Sequence, residues 1–164
     1  MPKNNEDVLT EEDFRCLDRI LDDHGHDPTQ IVGILLDTQE HFPLHYVPKE
    51  AAYYIAERLP VKLALIYDCL TFYHALSDVP RARHPIGVCH SVVCAVNASQ
   101  NVVQWLHEAL HINFGEATED RHFCLEEVPC FGACDRAPAV RVDGEIFGPL
   151  QSRADVDALL ARFS

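Results

Sequence analysis

Glycine-rich nucleotide signatures are missing from this chain of 164 residues: it has no G-x-G-x-x-G string and no P-loop. It also lacks the G-x-S-x-G string of a serine nucleophile elbow. The sequence therefore offers no nucleotide site of its own. Lysine is scarce, with three residues, and the formal net charge is −13. A surface so acidic repels phosphate backbones and anionic lipid, which argues against nucleic acid and membrane surfaces as partners. Long apolar runs are absent too, and nothing approaches the ~20 residues that span a bilayer. The opening segment MPKNNEDVLTEEDF has neither the apolar stretch of a secretory signal nor the acid-poor character of a transit peptide. A cytoplasmic chain without direct membrane insertion is expected. There is no internal repeat and no low-complexity segment.

Cysteine is abundant. Seven residues is an odd number, which argues against a simple disulfide framework, and clustered intracellular cysteines read as metal-binding or catalytic. Cys89 and Cys94 form a C-x₄-C pair, and Cys130 and Cys134 form a C-x₃-C pair after a gap of 35 residues. Four thiolates suit a soft metal centre. An iron–sulfur cluster of the [2Fe–2S] type leads, with structural zinc second. A redox-active dithiol would prefer C-x-x-C, which is absent. The plant-type ferredoxin spacing and the Cys/His pairs of a Rieske centre are absent as well. Cys16 and Cys69 read as small hydrophobes of a helical half, and Cys124 as a core position in a strand. His90 and His122 read as surface or supporting groups rather than ligands.

The two halves of the chain have different grammars. In the first, Thr10 caps a helix bearing Phe14, Leu17, Ile20 and Leu21. Asp27–Pro28 starts a second, with Ile31, Ile34, Leu35 and Phe42 as its stripe. Pro48 starts a third through Ala51, Ala52, Ile55 and Leu59. Pro60 opens a fourth through Leu63, Ile66, Leu70 and Tyr73. Four short helices make a small bundle. Residues 1–80 carry 6 basic and 15 acidic side chains, and residues 81–164 carry 7 and 11. The polar, proline-bounded stretch 77–85 is the natural boundary. Beyond it, residues 85–89 read as a buried strand, 98–112 as an amphipathic helix and 121–128 as another strand. Val140 and Val142 lead into a hairpin turn at Asp143–Gly144 with a return over 145–147, and Val156, Leu159, Leu160 and Phe163 mark a closing helix. The expected fold is α+β: a helical bundle over residues 1–80, then a thioredoxin-like α/β domain over 81–164. Cys89 is expected to end the first strand, with Cys94 in the loop before the helix. Cys130 and Cys134 fall in the loop after the middle strand. Both loops can open at one end of the sheet, and the small Gly132 and Ala133 let backbone N–H groups approach the bridging sulfides of a cluster.

Taken together, VCHSVVC (88–94), EEVPCFGACDRAPAV (126–140) and DGEIFGPL (143–150) resemble the NuoE family, the 24-kDa subunit family of NADH dehydrogenases. VPKEAAYYIAERL (47–59) and IYDCLTFYHAL (66–76) are similar to that family's helical part, so the resemblance covers about residues 28–163. It implies a [2Fe–2S] cluster held by Cys89, Cys94, Cys130 and Cys134. It further implies docking on a flavoprotein subunit that binds FMN and NAD(P)H, among further iron–sulfur subunits. The implied role is one-electron exchange with that FMN in a complex I-like module, an electron-bifurcating hydrogenase or NADH:ferredoxin oxidoreductase, or an NAD-linked formate dehydrogenase. Such a subunit is non-catalytic by itself, and residues 1–80 would serve for docking. The chain departs from the family in HSVV after the first ligand, in the loop PLHYV and at Asp68. Two other classes remain alongside: a structural zinc or adaptor module, which would be colourless, and a free-standing thioredoxin-like ferredoxin, which would need no appended bundle.

Overall fold

The structure, a computed structural model, describes residues 9–163; residues 1–8 of the polar opening segment and Ser164 lie outside the described residues. Contacts divide the chain into two compact units between Arg81 and Ala82. Among the described residues no helix is long and apolar enough to cross a membrane.

The first unit holds four helices: α1 (Glu11–Asp23), α2 (Ile31–His41), α3 (Lys49–Arg58) and α4 (Leu63–Phe72). α1 packs on α2 and α3, and α4 packs on α3 and α2, which closes a four-membered ring. Its centre is fully buried Leu17, Leu21, Ile34, Leu35, Ala51, Ala52, Ile55, Leu59 and Ile66. These recur at helical spacing, so each helix turns one apolar stripe inward. Thr10 caps α1 in a reciprocal box with Asp13, as its position before an acidic first turn predicts. Asp27 caps a single 3-10 turn, Pro28–Gln30, from which α2 continues. Three details differ from the sequence reading. α4 begins at Leu63 rather than Pro60, because the N–H groups of Leu59 and Val61 bond back to Ile55 and Ala56 and commit Pro60 to the end of α3. Phe42 is buried but lies just past α2. Tyr73 lies past α4 and is 42% exposed, so it does not extend that helix's buried stripe.

Buried Gln39 secures the end of this unit. Its Nε2 donates to Ala75 O at 2.9 Å, and its Oε1 accepts from the Ser77 N–H at 2.8 Å. The Arg81 guanidinium then donates to the carbonyls of His74, Ala75 and Leu76. The buried Ser77 N–H is satisfied this way, and the segment after α4 is tied down along its length.

The second unit is a four-stranded sheet with strand order β2-β1-β3-β4, formed by β1 (His84–Cys89), β2 (Phe123–Val128), β3 (Val140–Val142) and β4 (Glu145–Phe147). β1 pairs with β2 in parallel, while β1–β3 and β3–β4 are antiparallel. The β1–β2 crossover contains α5 (Val92–Val96) and α6 (Ser99–Leu110), and α7 (Arg153–Arg162) follows the hairpin. α6 and α7 pack together. Their Val102, Leu106, Val156 and Leu159 join Ile86, Val88, Phe123, Leu125, Val140 and Val142 in one core. The strand residues in this set alternate, as one face of a pleated sheet requires. Asp143 and Gly144, with φ of 48° and 78°, form the two-residue turn expected of an Asp-Gly hairpin.

Asp13 links the cap of α1 to the last residue of α2, because His41 Nε2 lies 2.8 Å from its Oδ1. Partial burial raises its carboxyl pKa, but hydrogen bonds from Thr10 and the interaction with His41 outweigh it and hold the group below its usual 3.8. A depressed carboxyl pKa stabilises the fold above the unfolded value and loses that effect as pH falls through the folded value. Asp13→Ala is expected to lower urea stability at pH 7 by about 1–2 kcal/mol. The gap from the parent chain should close as the buffer is taken below the usual 3.8, read by far-ultraviolet circular dichroism. A gap that widened in acid would contradict this role.

Candidate metal centre

Parallel pairing of β1 with β2 aligns Cys89 with Val128, so both strands end at the same edge of the sheet. Cys89 is the last residue of β1, 3% exposed. Cys94 sits on α5 rather than in a loop, which corrects the sequence reading. The valines around it disfavour a helix, but Asn97 closes this single turn from both its groups. The Asn97 N–H bonds to Val93 O and Cys94 O, and Nδ2 donates to Val93 O at 2.8 Å. The turn buries Cys94 to 3% exposure while leaving Val92 and Val96 at 76% and 77%. Cys130 lies two residues past β2, and Cys134 opens a short 3-10 turn; both are exposed.

The four thiols converge. Cys130 and Cys134 Sγ are 3.5 Å apart. The Cys89 side chain interacts with Cys94, Cys130 and Cys134, and Cys134 also acts on Cys94. Each pair has a different electrostatic setting. The Gly132 N–H donates to Cys130 Sγ at 3.4 Å and, with the Cys134 and Cys89 thiols, draws the Cys130 pKa down. Cys134, as the donor to Cys130, is pushed up, with lesser contributions from burial and from the negative charge of its neighbours. Burial is the main effect that raises Cys94, opposed by donation from the Ala139 N–H. Among the described residues no three His, Cys, Asp or Glu side chains gather as they would for a single metal ion.

The other candidates lie elsewhere. Cys16 is partly buried on α1, Cys69 is buried on α4, and Cys124 is 5% exposed inside β2, each as expected of a packed thiol. His90 is exposed, and its backbone N–H reaches Val128 O. His122 stands at the opposite end of β2, where Nε2 donates to Phe163 O at 2.6 Å.

A family model described as the thioredoxin-like [2Fe–2S] ferredoxin matches residues 17–164. The chain belongs to this family. The cluster reading from cysteine spacing and the resemblance to NADH dehydrogenase subunits both agree with that membership. The NADP-reducing hydrogenase subunit HndA of Solidesulfovibrio fructosivorans is 32% identical over 81% of this chain and 76% of its own length. An NADH-quinone oxidoreductase subunit from Escherichia coli K12 is 33% identical over 72% of this chain and 70% of its own. A chain in the crystal structure of an air-oxidised NAD+-reducing [NiFe]-hydrogenase matches with a TM-score of 0.70 and 24% identity. That match covers 82% of this chain and 22% of the hydrogenase chain, and it shows the shared fold. Members of the family thus occur as subunits of multi-subunit NAD-linked enzymes.

The donor set fits a [2Fe–2S] cluster. Four cysteines supply its usual ligands. The Cys130–Cys134 separation of 3.5 Å is also close to what two thiolates about 2.3 Å from one tetrahedral metal require. Backbone donors to sulfur come from Gly132 and Ala139. The first is made to the Cys130 thiol, where Gly132 takes φ +88°. Sequence reasoning missed the scaffold behind this loop. Arg141 of β3 lies over the Phe131 ring at 5.8 Å. The Leu150 N–H donates to Pro138 O at 3.0 Å. Gly148 comes so close that an added Cβ would lie 2.3 Å from Arg136 O. The string FGPL was legible only as part of a resemblance, because nothing local reveals a contact made twelve residues away.

Gly148→Ala is expected to displace the Cys134–Pro138 segment at a cost of about 1–3 kcal/mol, typical of overpacking. Cluster content, measured as iron and sulfide per chain, should fall, and the visible absorbance should bleach faster than in the parent. Unchanged content and bleaching would show that the Gly148 contact does not hold the loop.

Proposed function

We propose that this chain is the electron-transfer subunit of an NAD(P)H-linked flavin and iron–sulfur oxidoreductase, with Cys89, Cys94, Cys130 and Cys134 holding its [2Fe–2S] cluster. The observation that carries the reading is the convergence of these four thiols at one sheet edge in a member of a [2Fe–2S] ferredoxin family. When bound, the cluster supplies one-electron exchange. Buried Cys89 and Cys94 would hold the cluster on the sheltered side, and exposed Cys130 and Cys134 would leave the other side open to a partner. The Gly132 and Ala139 N–H groups aim positive dipole ends at sulfur and favour the more negative, reduced state.

The relatives favour an NADH–quinone oxidoreductase module or an NAD(P)-reducing hydrogenase as the parent complex. A hydride carries two electrons and this site handles one, so a flavin must divide them. FMN and the NAD(P)H site then belong to a partner flavoprotein. The helical unit, residues 1–80 on this reading, serves docking: it carries most of the acidic excess and none of the paired cysteines. The chain works in the cytoplasm, membrane-associated only through its complex.

Serine substitution at each of the seven cysteines tests the ligand set. Changes at Cys89, Cys94, Cys130 or Cys134 are expected to abolish or strongly reduce bound iron and sulfide, whereas changes at Cys16, Cys69 or Cys124 leave the red-brown colour intact. Full loading without Cys94 or Cys130 would refute the assignment, and a colourless zinc-loaded protein would refute the cluster. In a second assay, dithionite should reduce the isolated chain and NADH should leave its visible and EPR spectra unchanged. Adding the flavoprotein should permit reduction by NADH, and a chain lacking residues 1–80 should lose that response. Rapid reduction by NADH alone would mean that this chain binds the nucleotide itself.

A further inference from the structure

We infer that Cys130 and Cys134 form a thiol–disulfide exchange site in the chain before a cluster is inserted. A small-molecule disulfide of the glutathione class closes them into an intramolecular disulfide, which withdraws two thiols from the metal centre until a dithiol reopens it. The chemistry stands on geometry alone; only its consequence for metal loading rests on the ligand assignment proposed above.

Proximity and access together carry the inference. Cys130 and Cys134 Sγ lie 3.5 Å apart in an exposed loop, close enough for side-chain rotation to join them. Only three residues intervene, and the Gly132 N–H donates to Cys130 Sγ at 3.4 Å, which holds that thiol over the loop beside Cys134. Proximity alone does not select this pair, since the Cys89 side chain also interacts with Cys94 and Cys130. Access does select it. A dissolved disulfide must meet an exposed thiol first, and Cys89 and Cys94 are each 3% exposed.

The exchange balances with glutathione disulfide as the oxidant. The Cys130 thiolate attacks one sulfur of the reagent, breaking its S–S bond and releasing one glutathione thiolate. The Cys134 thiolate then attacks the Cys130 sulfur of the mixed disulfide and releases the second. The two cysteines lose two electrons and two protons, and two glutathione molecules gain them. A dithiol reductant reverses both steps and becomes a disulfide itself.

The test uses the full chain, stripped of metal with a chelator and a dithiol and desalted without oxygen. It is then exposed to glutathione disulfide, digested and mapped by mass spectrometry. The fragment between Arg121 and Arg136 should lose two hydrogens, with the link between Cys130 and Cys134, and carry no glutathionyl group. In Cys134→Ser the same treatment should leave a stable glutathionyl group on Cys130. Cys89→Ser and Cys94→Ser should leave closure unchanged. Supplied without oxygen with ferric iron and sulfide, the oxidised parent should gain roughly fivefold less visible absorbance than the dithiol-treated chain, and added dithiol should restore it. Free thiols at both positions, a lasting glutathionyl group on the parent, or a bridge involving Cys89 would overturn the inference. A Cys130–Cys134 bridge in a chain that never assembles a cluster after reduction would uphold the exchange site and refute the ligand assignment.

Discussion

Because β1 and β2 run parallel from His84↔Phe123 to Cys89↔Val128, their carboxyl ends fall level with each other. The placement of the candidate metal centre starts from that register. The segment after β1 and the segment after β2 are far apart in sequence, yet they open side by side. A slip of one residue would turn Cys89 to the other face of the sheet and part it from Cys130 and Cys134. The register is guarded on the helical side by Ile86, Val88, Phe123 and Leu125, which would lose their burial in the same slip. Hydrophobic packing of the second unit's core thus fixes where sulfur stands.

Sulfur placement is also graded in depth. The single turn of α5 sends Cys94 inward and its valines outward, and the chain then reverses into α6 through Ala98 at φ +63°. The loop after β2 leaves its two cysteines at the surface. One edge of the sheet therefore presents a protected pair and an open pair. That suits a redox centre, which needs both shelter for the metal and a way in for electrons.

The parts that sequence made legible are those with local causes. Thr10 and Asp13 announce the start of α1 because a capping box needs only four adjacent positions. Asp143–Gly144 announces the hairpin for the same reason. The apolar stripes marked most of the residues that fill both cores. Cys94 was misplaced because β-branched neighbours argue against helix, while the closing bonds from Asn97, although local, come from a residue type that reads as a turn. Gln39 left no trace in the hydrophobic pattern, although it satisfies the chain at Ala75 and Ser77, because a buried amide looks like any surface glutamine in sequence. The four cysteines were conspicuous from their spacing, whereas the groups that hold their loop in place were not.

The contacts of Gly148 and Leu150 with the Arg136–Pro138 segment bear on the timing of synthesis. A ribosome delivers Cys134 well before residue 150, and α7, whose Val156 and Leu159 complete the core, later still. For that interval the nascent chain has all of its sulfur but not the brace that sets it. Metal captured before Gly148 and Leu150 are in place would meet a loop without its brace. Order of manufacture, from amino to carboxyl terminus, therefore separates possession of the ligands from readiness to use them.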